Sequence, residues 1–483
     1  MSGEDQLWDN LLRWLASKGM DTSAENLPVH PLASSHPGAG RGLFTTSDIQ
    51  PHSPVLNIPA SALLNVYTLA PIYPFLPVDG RSPFGVAETI FPPLSASQLL
   101  ALHIAIHRPT GISESTDPCF GPYICTLPND FASHPLMWVL GGDKQAAKPD
   151  QAFWLNALPP SALVAVQAVA KRFNDDWETI VRCLKLFGDA FTTMFKKNIA
   201  PLISEENFRW AWLNVNTRCI YFRLFAKKSH RSNLTLCPIM DFMNHTRSPH
   251  HPQITPRIEP DVTGIEDSYK RRNPVLLSPA NRSVRAGEEL YLQYGGHCNT
   301  TLFAEYGFVD TNRDSFEGEA DISDLINARL LQMGENGLHY KAVLEAERYT
   351  DGWKLYSSPS PAHASWTLLA ALRLTNLDVP GNDQDRQDEE AYLKSWRDML
   401  SGCTEIISET NETAVAEDLT AFCKTILERG EKKLDILDSR SKAFDGVGTG
   451  CWASARANIT WLWQEEMEVA QEFLETACKA AIR

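Results

Sequence analysis

Three glycines at alternate positions, Gly38, Gly40 and Gly42, lie in the stretch SHPGAGRGLFTTSDI. Such loops cradle phosphates, dinucleotides or S-adenosylmethionine in unrelated folds, because glycine has no Cβ to hold a ligand off the backbone. Far downstream come Arg218 in NTRCIYF, Asp241, Asn244 and His245 in PIMDFMNH, Tyr294 at the end of AGEELYLQY, and Tyr306 and Phe308 in EYGFV. Taken singly, each has an ordinary reading. Asp241 suits a helix cap or a turn, Asn244 a turn, His245 a satisfied core histidine, Tyr294 a half-buried strand, and Arg218 a surface salt bridge. The glycine loop by itself suits a plain hairpin.

What flanks the loop decides which ligand chemistry it can support. A dinucleotide loop needs a buried strand running into the first glycine and a helix starting directly after it, with its dipole on the ligand. LASSHP before Gly38 is polar and carries Pro37, and LFTTSDIQPHSP after Gly42 is β-branched and broken by prolines. A phosphate loop of the Gly-Lys-Ser/Thr type is also missing. Short β-type segments cut by Pro and Gly (GLFTTSDI, SPVLNIP, SALLNV) therefore surround this loop.

From LSASQLLALHIAIHR onward, with Ser95 placed to cap, apolar residues recur at i, i+3 and i+4 through FRWAWLNVNTRCIYF. Short β segments return (TLCPIMDFMNH, PVLLSP, ELYLQYG), and beyond Asp310 the chain reads as helical and acidic. The pattern implies an α+β protein divided as 1–25 N-terminal helix, 26–98 β-rich core, 99–212 helical insertion, 213–311 second part of the core, and 312–483 an all-α C-terminal domain.

Hydrophobic residues make up 43% and charged residues 21%, the balance of a globular protein. No apolar run is long enough to span a bilayer, and the N-terminus lacks the basic and apolar regions of a signal peptide. No membrane partner and a cytoplasmic or nuclear location are expected. Ten cysteines occur without a CxxC pair or zinc spacing, so reduced thiols and no metal are expected. The net charge of −15 argues against direct nucleic-acid binding and favours a basic protein partner.

In this order, GAGRGLF…PVLNIP, PIMDFMNH, AGEELYLQYG and EYGFV resemble the SET domain of protein lysine methyltransferases. The split core and helical tail are similar to the subgroup of the Rubisco large-subunit methyltransferase and its ribosomal-protein and nuclear relatives. FRWAWLNVNTRCIYF resembles that subgroup's helix before the second half of the core. SWTLLAALRLTNL resembles its C-terminal substrate-binding domain.

The resemblance implies S-adenosylmethionine as cofactor and methyl transfer to a lysine of a non-histone protein, a ribosomal or other basic protein being the expected kind. It places Ala39, Gly40 and Arg41 along the cofactor's amino-acid end, Arg218 on its carboxylate, and Asn244 and His245 near the adenine. Asp241 matches an acidic residue on the substrate side. Tyr294 matches the catalytic tyrosine beside cofactor and amine. Tyr306 and Phe308 match the wall of the lysine channel and the adenine pocket. Tyr269 is the only tyrosine in the linker where the family often has a further channel residue. A protein-histidine methyltransferase of the same fold and a non-catalytic SET-like scaffold are the alternatives.

Overall fold

A computed structural model of the chain describes residues 3–34, 40–81, 91–111, 115–141, 151–258, 272–312, 317–377, 389–444 and 450–481. Ala39, Tyr269 and the acidic loop 378–388 lie outside the described residues. The chain forms two compact units. The first holds Met1–Pro149, Val166–His297 and Leu302–Ser315, and the second holds Asp150–Ala165, Cys298–Thr301 and Phe316–Arg483.

The first unit is built on short strands: β1 (Val29–Ala33), β2 (Arg41–Thr45), β3 (Pro54–Asn57), β4 (Ile220–Tyr221), β5 (Leu234–Thr235), β6 (Asn244–His245), β7 (Thr255–Ile258), β8 (Pro274–Leu277) and β9 (Glu289–Leu292). They pair into three small sheets, in the orders β1-β2-β9-β6, β3-β8-β7 and β4-β5. β1 and β2 make a hairpin, with Ala33 opposite Arg41 and the Ser34 N–H donating to the Gly40 carbonyl at 2.8 Å. No helix follows β2, as its β-branched sequence requires. β9 runs antiparallel to β2 and parallel to β6, which sets Tyr291 opposite Asn244. Strands distant in sequence thus bring the glycine loop, the Asn-His pair and the start of the Tyr294 segment together.

Helices make up the rest of this unit's regular structure. The first, Gly3–Ser17, buries Trp8, Leu11 and Leu15, residues at helical spacing. Ser95 caps Ala96–Ile106 with its hydroxyl on the Gln98 N–H, and Gln98 returns the bond to the Ser95 N–H, a reciprocal capping box. The helix Glu205–Arg218 ends on the arginine singled out above.

The second unit is helical, as expected. It includes Ser323–Gln332, Glu335–Ala346, Trp366–Thr375, Glu389–Leu400, Glu409–Phe444 and Gly450–Ala481, around a core in which Trp353, Leu372 and Trp396 are buried. It is not purely α: β10 (Glu319–Asp321), β11 (Lys354–Tyr356) and β12 (His363–Ala364) form an antiparallel sheet. Runs this short show no alternation that a sequence pattern could register. Asp150–Ala165, which reads as part of the helical insertion, groups with this unit. There the Trp463 indole donates to the Ala157 carbonyl at 2.8 Å, and the Ser161 hydroxyl donates to Glu466 at 2.8 Å.

Candidate active site

Gly40 has φ +65°, a left-handed conformation that favours glycine, and no atom crowds the place of its missing Cβ. Gly42 is needed for a different reason. A Cβ there would stand 2.1 Å from Glu289 Oε1 and 3.1 Å from the Asn244 amide nitrogen. The Glu289 carboxylate is buried and accepts from the Asn244 side-chain amide (2.6 Å), the Ser34 hydroxyl (2.9 Å) and the Tyr291 hydroxyl (2.9 Å). It pins the amide of Asn244, which also reaches the Arg41 carbonyl at 3.4 Å. Sequence reading missed Glu289, because AGEEL reads as a turn leading into a strand. Its one signal is an acid that opens a strand whose four residues are all buried.

The Arg41 side chain turns inward. Its guanidinium donates to the Thr126 carbonyl at 2.7 Å and stacks 3.9 Å from the centre of the Phe242 ring. Burial, with Arg218 nearby, lowers its pKa. Arg218 donates through Nη1 to the Asp241 backbone carbonyl at 2.6 Å and pairs with the Asp241 carboxylate at 3.4 Å. The Asp241 side chain has 0% exposure and also accepts from the Tyr123 hydroxyl at 3.0 Å. Burial raises the Asp241 pKa, although Arg218 and Tyr123 oppose the shift. These contacts make Asp241 the residue that orients Arg218. Tyr123 comes from the helical insertion, and nothing in its local sequence announces it.

His245 Nδ1 accepts the Tyr294 backbone N–H at 3.0 Å, so the ring proton resides on Nε2. Burial pushes the His245 pKa down to about 4, and the imidazole is neutral near pH 7. Asp310 Oδ2 lies 4.0 Å from Nε2 and accepts from Arg247 Nε at 3.1 Å. The Tyr294 hydroxyl donates to the Met243 carbonyl at 2.8 Å, and burial lifts its pKa above the ordinary phenol range. Its ring meets His245 at 5.2 Å, Tyr306 at 5.1 Å and Phe308 at 6.2 Å between centroids, and Tyr306 meets Phe308 at 6.1 Å. The three aromatic rings make one wall.

Three buried polar atoms here find no partner among the described residues: Arg218 Nε, Asp241 Oδ1 and His245 Nε2. Buried polar groups are normally satisfied. A cationic donor beside an anionic acceptor suits a ligand carrying both charges, such as a zwitterionic amino-acid group. Every sequence-derived candidate among the described residues, Gly40, Arg41, Arg218, Asp241, Asn244, His245, Tyr294, Tyr306 and Phe308, lies in the first unit.

Residues 40–295, more than half of the 483, match the family model described as SET domain. The chain belongs to the SET-domain family. Relatives include SET domain-containing protein 4 of Mus musculus, 24% identical across 92% of this chain and 86% of that protein. Another is ribosomal lysine N-methyltransferase 2 of Saccharomyces cerevisiae, 25% identical across 66% of this chain and 73% of that protein. The fold is similar to the crystal structure of the SET domain of LSMT bound to lysine and AdoHcy. That match has a TM-score of 0.57 and 17% identity, over 99% of this chain and 92% of that one. Within this SET domain the Gly40 hairpin, the Asn244-His245 strand and the Tyr294 segment occupy adjoining positions, as the sheet order requires.

Proposed function

We propose that this SET protein is an S-adenosylmethionine-dependent protein-lysine N-methyltransferase. The observation that carries the reading is the aromatic wall of Tyr294, Tyr306 and Phe308 set beside the partnerless polar atoms of Arg218 and Asp241. S-adenosylmethionine, when bound, supplies an electrophilic methyl group on a sulfonium. Arg218, held by Asp241, would bind its carboxylate, and the Gly40 backbone would lie along the same amino-acid end. Asn244, pinned by Glu289, and His245 would hold the remainder. Asp241 positions Arg218 through Oδ2, and its Oδ1 would be left to accept from the cofactor's ammonium group.

The rest of the chemistry concerns the amine. A free lysine has a pKa of about 10.4 and reacts only when neutral. The Tyr294 hydroxyl donates its proton to the Met243 carbonyl, which leaves its oxygen lone pairs to accept from an amine N–H. Burial favours the protonated phenol, with Tyr294 acting to orient the amine. Desolvation by the aromatic wall lowers the amine pKa, so the proton is lost to water on entry. Tyr294 then fixes the direction of the nitrogen lone pair.

The yeast relative's name and the net charge of −15 support a basic ribosomal protein as target, and with it a cytosolic or nuclear site of action. Calorimetry tests the cofactor assignment. Wild-type protein is expected to bind S-adenosylmethionine, and Asn244→Ala to bind it about tenfold or more weakly, the loss of a buried hydrogen bond to a ligand. Absence of any binding to the wild type would refute the enzyme reading.

A further inference from the structure

A second group of chemistry-bearing side chains lies in the first unit, away from the methyl-transfer residues. His103 sits in the last turn of the helix Ala96–Ile106, and His107 is its C-cap. Their i, i+4 spacing places both rings on one face, with centroids 4.8 Å apart. Asp117 lies ten residues after His107 in the chain. Among the described residues these three are the group of His, Cys, Asp or Glu able to hold a metal ion. One donor atom of each lies within 4.8 Å of the others, and all three residues are buried.

The nitrogens not needed for a metal are already held. Tyr73 Oη lies 2.8 Å from His103 Nδ1, and Thr116 Oγ1 lies 3.0 Å from His107 Nδ1. Each ring is left with Nε2 to offer, and His103 Nε2 stands 2.9 Å from Asp117 Oδ2. A hydrogen bond on the far nitrogen is what orients metal-binding histidines in proteins. Asp117 Oδ1 also accepts the Cys119 N–H at 2.9 Å. A cavity of about 400 Å³ has Asp117 on its wall beside Asn10, Arg13 and Ser115, which leaves room for water on the carboxylate side.

We infer that His103, His107 and Asp117 form a binding site for a divalent transition metal of the Zn²⁺ type, with water from the adjoining cavity completing the coordination. Two imidazoles and one carboxylate are a donor set this class of ion favours. On binding, the His103 proton sits on Nδ1, where the Tyr73 oxygen accepts it. Donors about 2.1 Å from a tetrahedral ion stand about 3.4 Å apart, so the His103–Asp117 edge is already short enough and His107 closes the rest. The ion would brace the active site. Asp117 accepts the N–H groups of Cys119 and Phe120 at the head of the helix Gly121–Ile124, which carries Tyr123 to Asp241.

The test is metal uptake by the full chain after chelator treatment, independent of methyltransferase activity. Zn²⁺ is followed by calorimetry, and Co²⁺ by visible absorption. One equivalent per chain is expected, with a cobalt spectrum of nitrogen and oxygen ligation. Tyr73→Phe removes a single hydroxyl and keeps the shape of the core; it is expected to weaken Zn²⁺ binding about 10- to 100-fold. His107→Gln is expected to abolish it. No uptake by the wild type, a cobalt spectrum dominated by thiolate charge transfer, or equal affinity in wild type and Tyr73→Phe would overturn the site.

Discussion

The Tyr294 hydroxyl donates to the Met243 carbonyl at 2.8 Å, and this bond, more than the identity of the residue, defines what the tyrosine can do. Its oxygen is left as an acceptor for an amine N–H. In Tyr294→Phe the ring and its contacts with Tyr306 and Phe308 persist, while the acceptor is gone. The expected result is a fall in kcat on the order of 10²-fold, with cofactor affinity changed little; steady-state kinetics and calorimetry on the one variant measure both. Full activity in Tyr294→Phe would remove the residue from the mechanism. Tyr294, Asn244 and His245 were legible in the sequence because each lies in a contiguous string. Glu289 and Tyr123 were not. Their importance lies in which distant side chain they hold, Asn244 and Asp241 respectively, and spacing along the chain carries no trace of that.

At the level of elements, the β1–β2 hairpin, β9 and β6 meet at one carboxylate. The missing Cβ of Gly42 leaves the space that Glu289 fills, and a methyl group there would drive Glu289 off the Asn244 amide. Gly42→Ala is therefore expected to cost about 1–3 kcal/mol of stability and to weaken S-adenosylmethionine binding with it. Denaturant titration and calorimetry on the same protein check the pair. The alternate glycines of the opening motif thus divide their duties: Gly40 supplies a left-handed backbone and Gly42 a vacant side-chain position. In the second unit, burial raises the pKa of Glu466, on the helix Gly450–Ala481, from 4.5 to about 8. A folded-state pKa above the unfolded one means that stability is fully present below pH 4.5 and drains away as pH rises towards 8. Glu466→Gln keeps an acceptor for the Ser161 hydroxyl and carries no proton to lose. It is expected to leave stability at pH 5 nearly unchanged and to raise it at pH 8 on the order of 3 kcal/mol, read from thermal or denaturant unfolding at the two pH values.

Across the whole molecule, the order of texture along the chain (β, helical, β, helical) was legible in hydrophobic periodicity, and so was the α+β class. Two features escaped. The sheet β10-β11-β12 consists of strands of two or three residues, too short for alternation to register. The run Asp150–Ala165 carries the same helical pattern as its neighbours, and its place in the second unit depends on partners such as Trp463 and Glu466, hundreds of residues away in sequence. An acidic chain with net charge −15 draws basic surfaces by long-range attraction, which agrees with a protein target rich in lysine. The most direct test of the central claim is to incubate the protein with isotopically labelled S-adenosylmethionine and a cell extract, then to locate the label by mass spectrometry. Label on a lysine side chain of a basic protein, absent when Tyr294→Phe replaces the wild type, is the expected result. Label on histidine, or no label from a wild-type protein that binds the cofactor, would contradict it.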